Sequence, residues 1–113
     1  METVAVRIST EDRQRLEDAA ATLETMTGAS VTMTDAFAFM LRNTGDDTGV
    51  SMPHELLGET WAVLLDEDQI AALDAIADRL ARRKAALLGR EVKPVRSDAI
   101  RFVIRSGVNH AVT

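Results

Sequence analysis

Cysteine and tyrosine are absent from this chain of 113 residues, and aromatic side chains are scarce, with one tryptophan and three phenylalanines. Without cysteine there is no disulfide, no thiolate metal site and no cysteine nucleophile. With so few rings there is no stacking platform for single-stranded nucleic acid. No apolar run approaches the roughly 20 residues needed to cross a bilayer, and the N-terminus lacks the basic, apolar and small-residue succession of a signal peptide. A soluble cytoplasmic protein with no membrane partner is therefore expected. The two histidines, His54 and His110, have no partner at metal-ligand or catalytic spacing. No glycine-rich phosphate loop is present. The carboxylates fall at helix starts and on polar faces, where they serve helix dipoles and solubility. Neither an enzyme nor a cofactor is expected.

A surplus of positive charge is also missing. The formal net charge is −5, which argues against indiscriminate duplex binding, because counterion release needs excess Lys and Arg at the contact. The charge is nevertheless uneven. Residues 1–49 hold four basic against nine acidic residues. The stretch Arg79–Arg105 holds Arg79, Arg82, Arg83, Lys84, Arg90, Lys93, Arg96, Arg101 and Arg105 against Glu91 and Asp98. A local field of that kind can outweigh the sum, although part of the run also reads as the solvated face of a long helix. With 46% hydrophobic and 27% charged residues, the chain falls in the globular class.

The residues that are present repeat. Val4, Val6 and Ile8 alternate with Thr3, Ala5 and Arg7, a short strand with one buried face. Ser9 or Thr10 offers an N-cap, and Leu16, Ala19, Ala20, Leu23 and Met26 recur at helical spacing up to Gly28. Thr34 is the expected cap of a second helix, with Phe37, Met40 and Leu41 on one face and a stop at Gly45. Met26, Met33 and Met40 read as core fillers. The segment Gly45–Glu59 loses periodicity and reads as a linker, long enough to reach about 50 Å if extended.

The order then recurs. Trp61, Val63 and Leu65 alternate with Thr60, Ala62 and Leu64; Asp66 caps a helix through Ile70, Leu73, Ala77 and Leu80, extending toward Leu87 and Leu88, with Gly89 as its stop; Ser97 caps a last helix with Ile100, Val103 and Ile104 on one face and a stop at Gly107. An offset of 57 places Val6 on Val63, Ile8 on Leu65, Leu16 on Leu73 and Leu23 on Leu80. An offset of 63 places Thr34-Asp35-Ala36 on Ser97-Asp98-Ala99 and Phe39 on Phe102. The repeat defines a first unit at 1–45, a linker at 46–59 and a second, degenerate unit at 60–113.

A short strand followed by two helices, with "VAVRIS" before an acidic helix start and "RSDAIRFVIRSG" as second helix, resembles the ribbon-helix-helix family of MetJ- and Arc-type repressors, here in two tandem copies. The resemblance implies a mainly α fold in which two short strands form an antiparallel ribbon over four helices. One strand cannot make a sheet, and some 45 residues bury too little surface to stand alone. The two halves are thus expected to pair within the chain as a pseudo-dimer, with pairing between chains as a homodimer the alternative.

In that family the ribbon enters the major groove and its outward side chains meet base edges. Those positions are Thr3, Ala5 and Arg7 in the first copy, with Arg7 the expected guanine reader, and Thr60, Ala62 and Leu64 in the second, which offer almost no base-reading chemistry. The competing reading of Arg7 is a strand residue paired with Glu2 or a neighbouring acid. The family's phosphate contact lies at the start of the second helix, where free backbone N–H groups meet an anion. Thr34 and Ser97 occupy those starts, and Lys93 and Arg96 reinforce the latter. The expected partner is double-stranded DNA, bound by a transcriptional repressor or by a plasmid partition or mobilisation accessory protein. The alternatives are a protein-interaction module that has lost DNA binding and, ranked lower, an antitoxin, because a second folded unit stands where antitoxins carry a flexible toxin-wrapping tail.

Overall fold

The computed structural model describes residues 1–44 and 55–111, the side chains of 107–111 excepted. The element order is β1 (Glu2–Ser9), α1 (Thr10–Thr27), α2 (Met33–Asn43), β2 (Leu57–Leu65), α3 (Glu67–Leu88) and α4 (Arg96–Ala111). Strand, helix, helix thus occurs twice.

Local chemistry sets most of the boundaries. The Ser9 side chain accepts from the Asp12 amide and starts α1, while Asp66 and Gln69 form a reciprocal capping box at the start of α3. Both long helices end on a glycine in the left-handed region, Gly28 at φ 71° and Gly89 at φ 67°, each returning its N–H to a carbonyl of the last turn. The second helices start earlier than the sequence suggested. Thr32, not Thr34, caps α2, because Asp35 sits at the spacing that completes a capping box with Thr32; Thr34 lies inside the first turn. Helix α4 begins at Arg96, with the Ala99 amide closing on the Val95 carbonyl at 3.3 Å, so Ser97 is likewise within the turn and not its cap. Nor does Gly107 stop α4, which runs on to Ala111. Gly45 lies outside the described residues, and α2 ends at Asn43. Strand β2 starts at Leu57, reaching back into the stretch read as linker.

The two strands form one antiparallel ribbon, pairing Glu2 with Leu65, Thr3 with Leu64, Val4 with Val63, Ala5 with Ala62, Val6 with Trp61 and Arg7 with Thr60. The offset of 57 that relates the two sequence copies carries Ala5 onto Ala62, and these two face each other across the ribbon. A pseudo-two-fold axis therefore passes between them, and the halves embrace as the two subunits of an isologous dimer do. Val6, Ile8, Val63 and Leu65 turn inward and are buried, joined by half-buried Val4 and Trp61.

Helices α2 and α4 make the most extensive helix–helix contact, with α1 on α2 and α4 and α3 on α4. Phe37, Met40, Ile100, Phe102, Val103 and Ile104 are fully buried there, and Leu16 and Leu73 close the core from α1 and α3. Trp61 meets Phe37 edge-on with ring centroids 5.6 Å apart, a contact between the two copies. Met40 fills the core and Met33 packs partly against it, but Met26 is 70% exposed, since α1 continues beyond the last residues it buries. Among the described residues no helix is long and apolar enough to cross a membrane.

The buried side chains come from both halves and form one cluster, so neither half has a core of its own. Truncating Phe102 to alanine is expected to cost about 3–5 kcal/mol. In the wild type, ribbon and helices of both halves should lose structure in one cooperative transition whose midpoint does not depend on protein concentration, as followed by circular dichroism and tryptophan fluorescence. Two separate transitions, or a midpoint rising with concentration, would contradict pairing within the chain.

Candidate nucleic-acid interface

Alternation along the ribbon leaves one face bare. Thr3, Ala5 and Arg7 on β1 and Thr60, Ala62 and Leu64 on β2 are all exposed, and none is used by the core. The structure thus brings the six outward positions into one strip. Its symmetry is incomplete. Thr3 and Thr60 are equivalent under the pseudo-two-fold, as are Ala5 and Ala62, but the mate of Arg7 is Leu64, 46% exposed.

Among the described residues Arg7 has no carboxylate partner. Its guanidinium donates to the main-chain carbonyls of Gly58 and Leu57 at 3.2–3.3 Å. The contact sits beside the register shift between Arg7 and Ser9, an irregularity of the kind that locally disrupts the ladder. These bonds are long, exposed and made to neutral acceptors, so another acceptor can replace them at small cost. The backbone beneath is fixed from the other side, where Arg101 of α4 donates Nε to the Arg7 carbonyl at 3.1 Å and pairs with Asp98. The sequence offered no sign of that positioning role, because it joins residues on the two copies.

The second-helix starts are less favourable to an anion than expected. Arg96 donates to both oxygens of Asp74, at 2.7 and 3.1 Å, and to Glu2 at 2.6 Å. The hydrogen bond from Arg96 lowers the Asp74 pKa below its ordinary value, and Asp74 in turn raises that of Arg96. Arg96 is therefore committed to two carboxylates. Across the pseudo-two-fold, Glu17 and Glu59 occupy the places of Asp74 and Glu2, and there the bridging guanidinium is that of Arg13, from α1 instead of the second helix. Each bridge ties a long helix to the opposite strand. Ser97 is half-buried; Lys93 is exposed and forms no ion pair among the described residues. Thr34 is half-buried in the first turn of α2, with Asp35 beside it and no basic side chain in the segment between Arg15 and Arg42.

A second feature escaped sequence reasoning altogether. Asp12, fully buried, accepts from Arg15 at 2.6 Å and from Arg105 at 3.0 and 3.1 Å. Glu55, read as linker, joins them by pairing with Arg15 at 2.8 Å and Arg105 at 3.2 Å and by accepting from Ser9 at 2.8 Å. The network has no copy in the other half, where Gln69 and Ala72 stand in place of Asp12 and Arg15. Among the described residues no group of His, Asp or Glu could hold a metal ion. His54 and the His110 side chain lie outside the described residues.

No family model matches the chain, no curated protein matches it, and no solved structure matches it.

The Glu55 network makes stability depend on pH. The hydrogen bond from Arg15 is the largest cause holding the Glu55 carboxyl down at about 2, against an ordinary value near 4.3 in an unfolded chain. A carboxyl depressed on folding contributes stability that is complete above the unfolded value and disappears as pH falls through the folded one. Urea unfolding of the wild type should therefore lose about 2 kcal/mol from this group between roughly pH 5 and pH 2. Glu55→Gln should be less stable at neutral pH and show a flatter acid limb. An identical acid limb in the variant would refute the assignment.

Proposed function

We propose that this chain is a single-chain ribbon-helix-helix protein that binds duplex DNA sequence-specifically, without catalysis, by placing the outward face of its ribbon in the major groove. The observation that carries this reading is the bare strip of six outward side chains on an otherwise fully used ribbon. A two-stranded ribbon fits the width of the major groove. The duplicated strand–helix–helix order, the antiparallel pairing of the two strands and the central packing of α2 on α4 support the family resemblance.

On this reading Arg7 reads a base, exchanging two carbonyls for the acceptors of guanine, with Thr3 as a hydrogen-bonding neighbour and Ala5 against a thymine methyl. Lys93 supplies phosphate affinity beside the start of α4. Arg96 contributes by holding that helix start against β1 and α3, and contact by Thr34 is confined to its place in the first turn of α2. Recognition is one-sided, because Leu64 stands where a symmetric ribbon would repeat Arg7. A repressor or a partition or mobilisation accessory protein would use such a surface.

A second reading, a protein-interaction module, is favoured by different observations. Leu57 and Leu64 are 37% and 46% exposed on β2, and acidic partners engage Lys84, Arg96, Arg101 and Arg105 of the basic stretch. Failure to bind any duplex at low salt, together with a co-purifying protein partner, would decide for it.

Selection from a random duplex library with the purified chain tests the leading reading. A single preferred sequence should emerge, with affinity falling as salt rises. Arg7→Ala should lower affinity for that sequence roughly 5- to 150-fold while leaving non-specific binding nearly unchanged. Leu64→Arg, which restores the missing mate, should tighten binding to a site with two inverted guanine contacts. Retention of sequence preference in Arg7→Ala would remove Arg7 from the interface.

A further inference from the structure

The outward strip of the ribbon is symmetric except at one pair of positions. The register sets Arg7 beside Thr60 at one end, Ala5 beside Ala62 at the axis and Thr3 beside Leu64 at the other end. Each end therefore presents one threonine, and the ends differ in its neighbour, a guanidinium at one and an isobutyl group at the other. Leu64 is 46% exposed, on a face that no helix covers among the described residues. Arg7 and Leu64 belong to one surface with two alanines between them. A groove that brings base edges to Arg7 therefore also closes over Leu64.

We propose that Leu64 is a second specificity-determining residue, which packs on the 5-methyl group of a thymine at the opposite end of the site from the guanine that Arg7 reads. The inference rests on the DNA-binding reading of the ribbon and names the kind of duplex that surface takes. Leu64 has neither donor nor acceptor. The one apolar group on a base edge in the major groove is the thymine methyl. Set against guanine, adenine or cytosine, the leucine would strip water from a polar base edge and return no hydrogen bond, which is unfavourable. Set against thymine, it removes two apolar groups from water together. Thr3, its cross-strand neighbour, can bond the O4 atom of the same base. Arg7 and Thr3 are four residues apart on β1, about 13 Å at the rise of a strand, which matches about four base-pair steps of roughly 3.4 Å. The target is thus a near-palindrome broken at one base, with thymine in place of the second guanine, and the protein lies on it in one orientation.

Selection of duplexes from a random library by the full chain supplies the probe. Deoxyuridine, which is thymidine without the 5-methyl group, then replaces each thymine of the selected duplex singly. One replacement, about four steps from the guanine on which Arg7→Ala acts, should weaken binding roughly 4-fold, the value of burying one methyl-sized group. In Leu64→Ala the same replacement should have little effect, while the guanine preference stays and shows that the variant is folded and bound. Emergence of no preferred duplex would defeat the DNA-binding reading and this inference together. A preferred duplex overturns this inference alone in three cases. It carries guanine at both ends; or no thymine at that distance responds to loss of its methyl, which leaves Leu64 to a protein partner; or the response is undiminished in Leu64→Ala, which gives the methyl contact to Thr3.

Discussion

Among the described residues, each strand has its only ladder partner in the other half of the chain. A lone strand leaves its amides and carbonyls unpaired and has no face of its own to bury. The ladder between β1 and β2 is therefore the condition on which everything else depends. It brings Val6 and Ile8 together with Val63 and Leu65 as one inner face, which α2 and α4 then cover. Among the described residues it also leaves the opposite face with no helix to cover it. The same pairing that creates the core thus creates the bare strip, and no additional feature is needed to explain why six outward side chains meet solvent together.

Pairing within one chain frees the halves to diverge. In a homodimer a substitution appears on both sides of the axis, so a change that helps one side must be tolerated by the other. Here Glu2 and Glu59, and Glu17 and Asp74, keep a pair of carboxylates at equivalent places, while the guanidinium bridging them comes from Arg13 in one half and Arg96 in the other. The geometric need, tying a long helix to the opposite strand, is met twice by different residues. The cluster of buried Asp12 with Arg15 and Arg105 shows the same freedom taken further, since Gln69 and Ala72 stand where a symmetric copy would repeat Asp12 and Arg15. Asp12 and Glu55 each pair with both Arg15 and Arg105, so the cluster ties α1, α4 and Glu55 together.

What could be read from the sequence was what is local. The alternation through Val4, Val6 and Ile8, and again through Trp61, Val63 and Leu65, reports burial on a strand because side chains point to opposite faces in turn. Gly28 and Gly89 mark helix ends because a positive φ suits glycine. Sequence alone misleads where the deciding neighbour is distant or where two residues could cap. Thr34 has the side chain of a cap, yet only Thr32 has Asp35 at capping-box spacing. Met26 fits the helical period, but period alone does not say where a helix leaves the core. Arg96 looked free for a phosphate because Asp74 and Glu2 come to it from other elements, and Glu55 looked like linker because its partners Ser9, Arg15 and Arg105 are scattered along the chain. The strip of Thr3, Ala5, Arg7, Thr60, Ala62 and Leu64 was legible in full; that Arg7 leans on the carbonyls of Gly58 and Leu57 was not, since the contact sits beside a register shift that only the paired strands reveal.

The position of Arg7 carries one further consequence for recognition. Its guanidinium is already held along the ribbon by carbonyl acceptors, and its main chain is pinned from below by Arg101. A side chain that is ordered before contact has less conformational freedom left to lose on binding. It must, on the other hand, give up three hydrogen bonds to two neutral carbonyls, and a partner offering two acceptors at the spacing of a planar fork returns more of what is lost than a single acceptor does. On the DNA-binding reading, the contact that looks at first like an obstruction therefore acts as a filter: it weakens indiscriminate contacts relative to a bidentate one, and in an acidic chain with most of its cations engaged, discrimination at one such residue accounts for more of the recognition than the general field of the molecule.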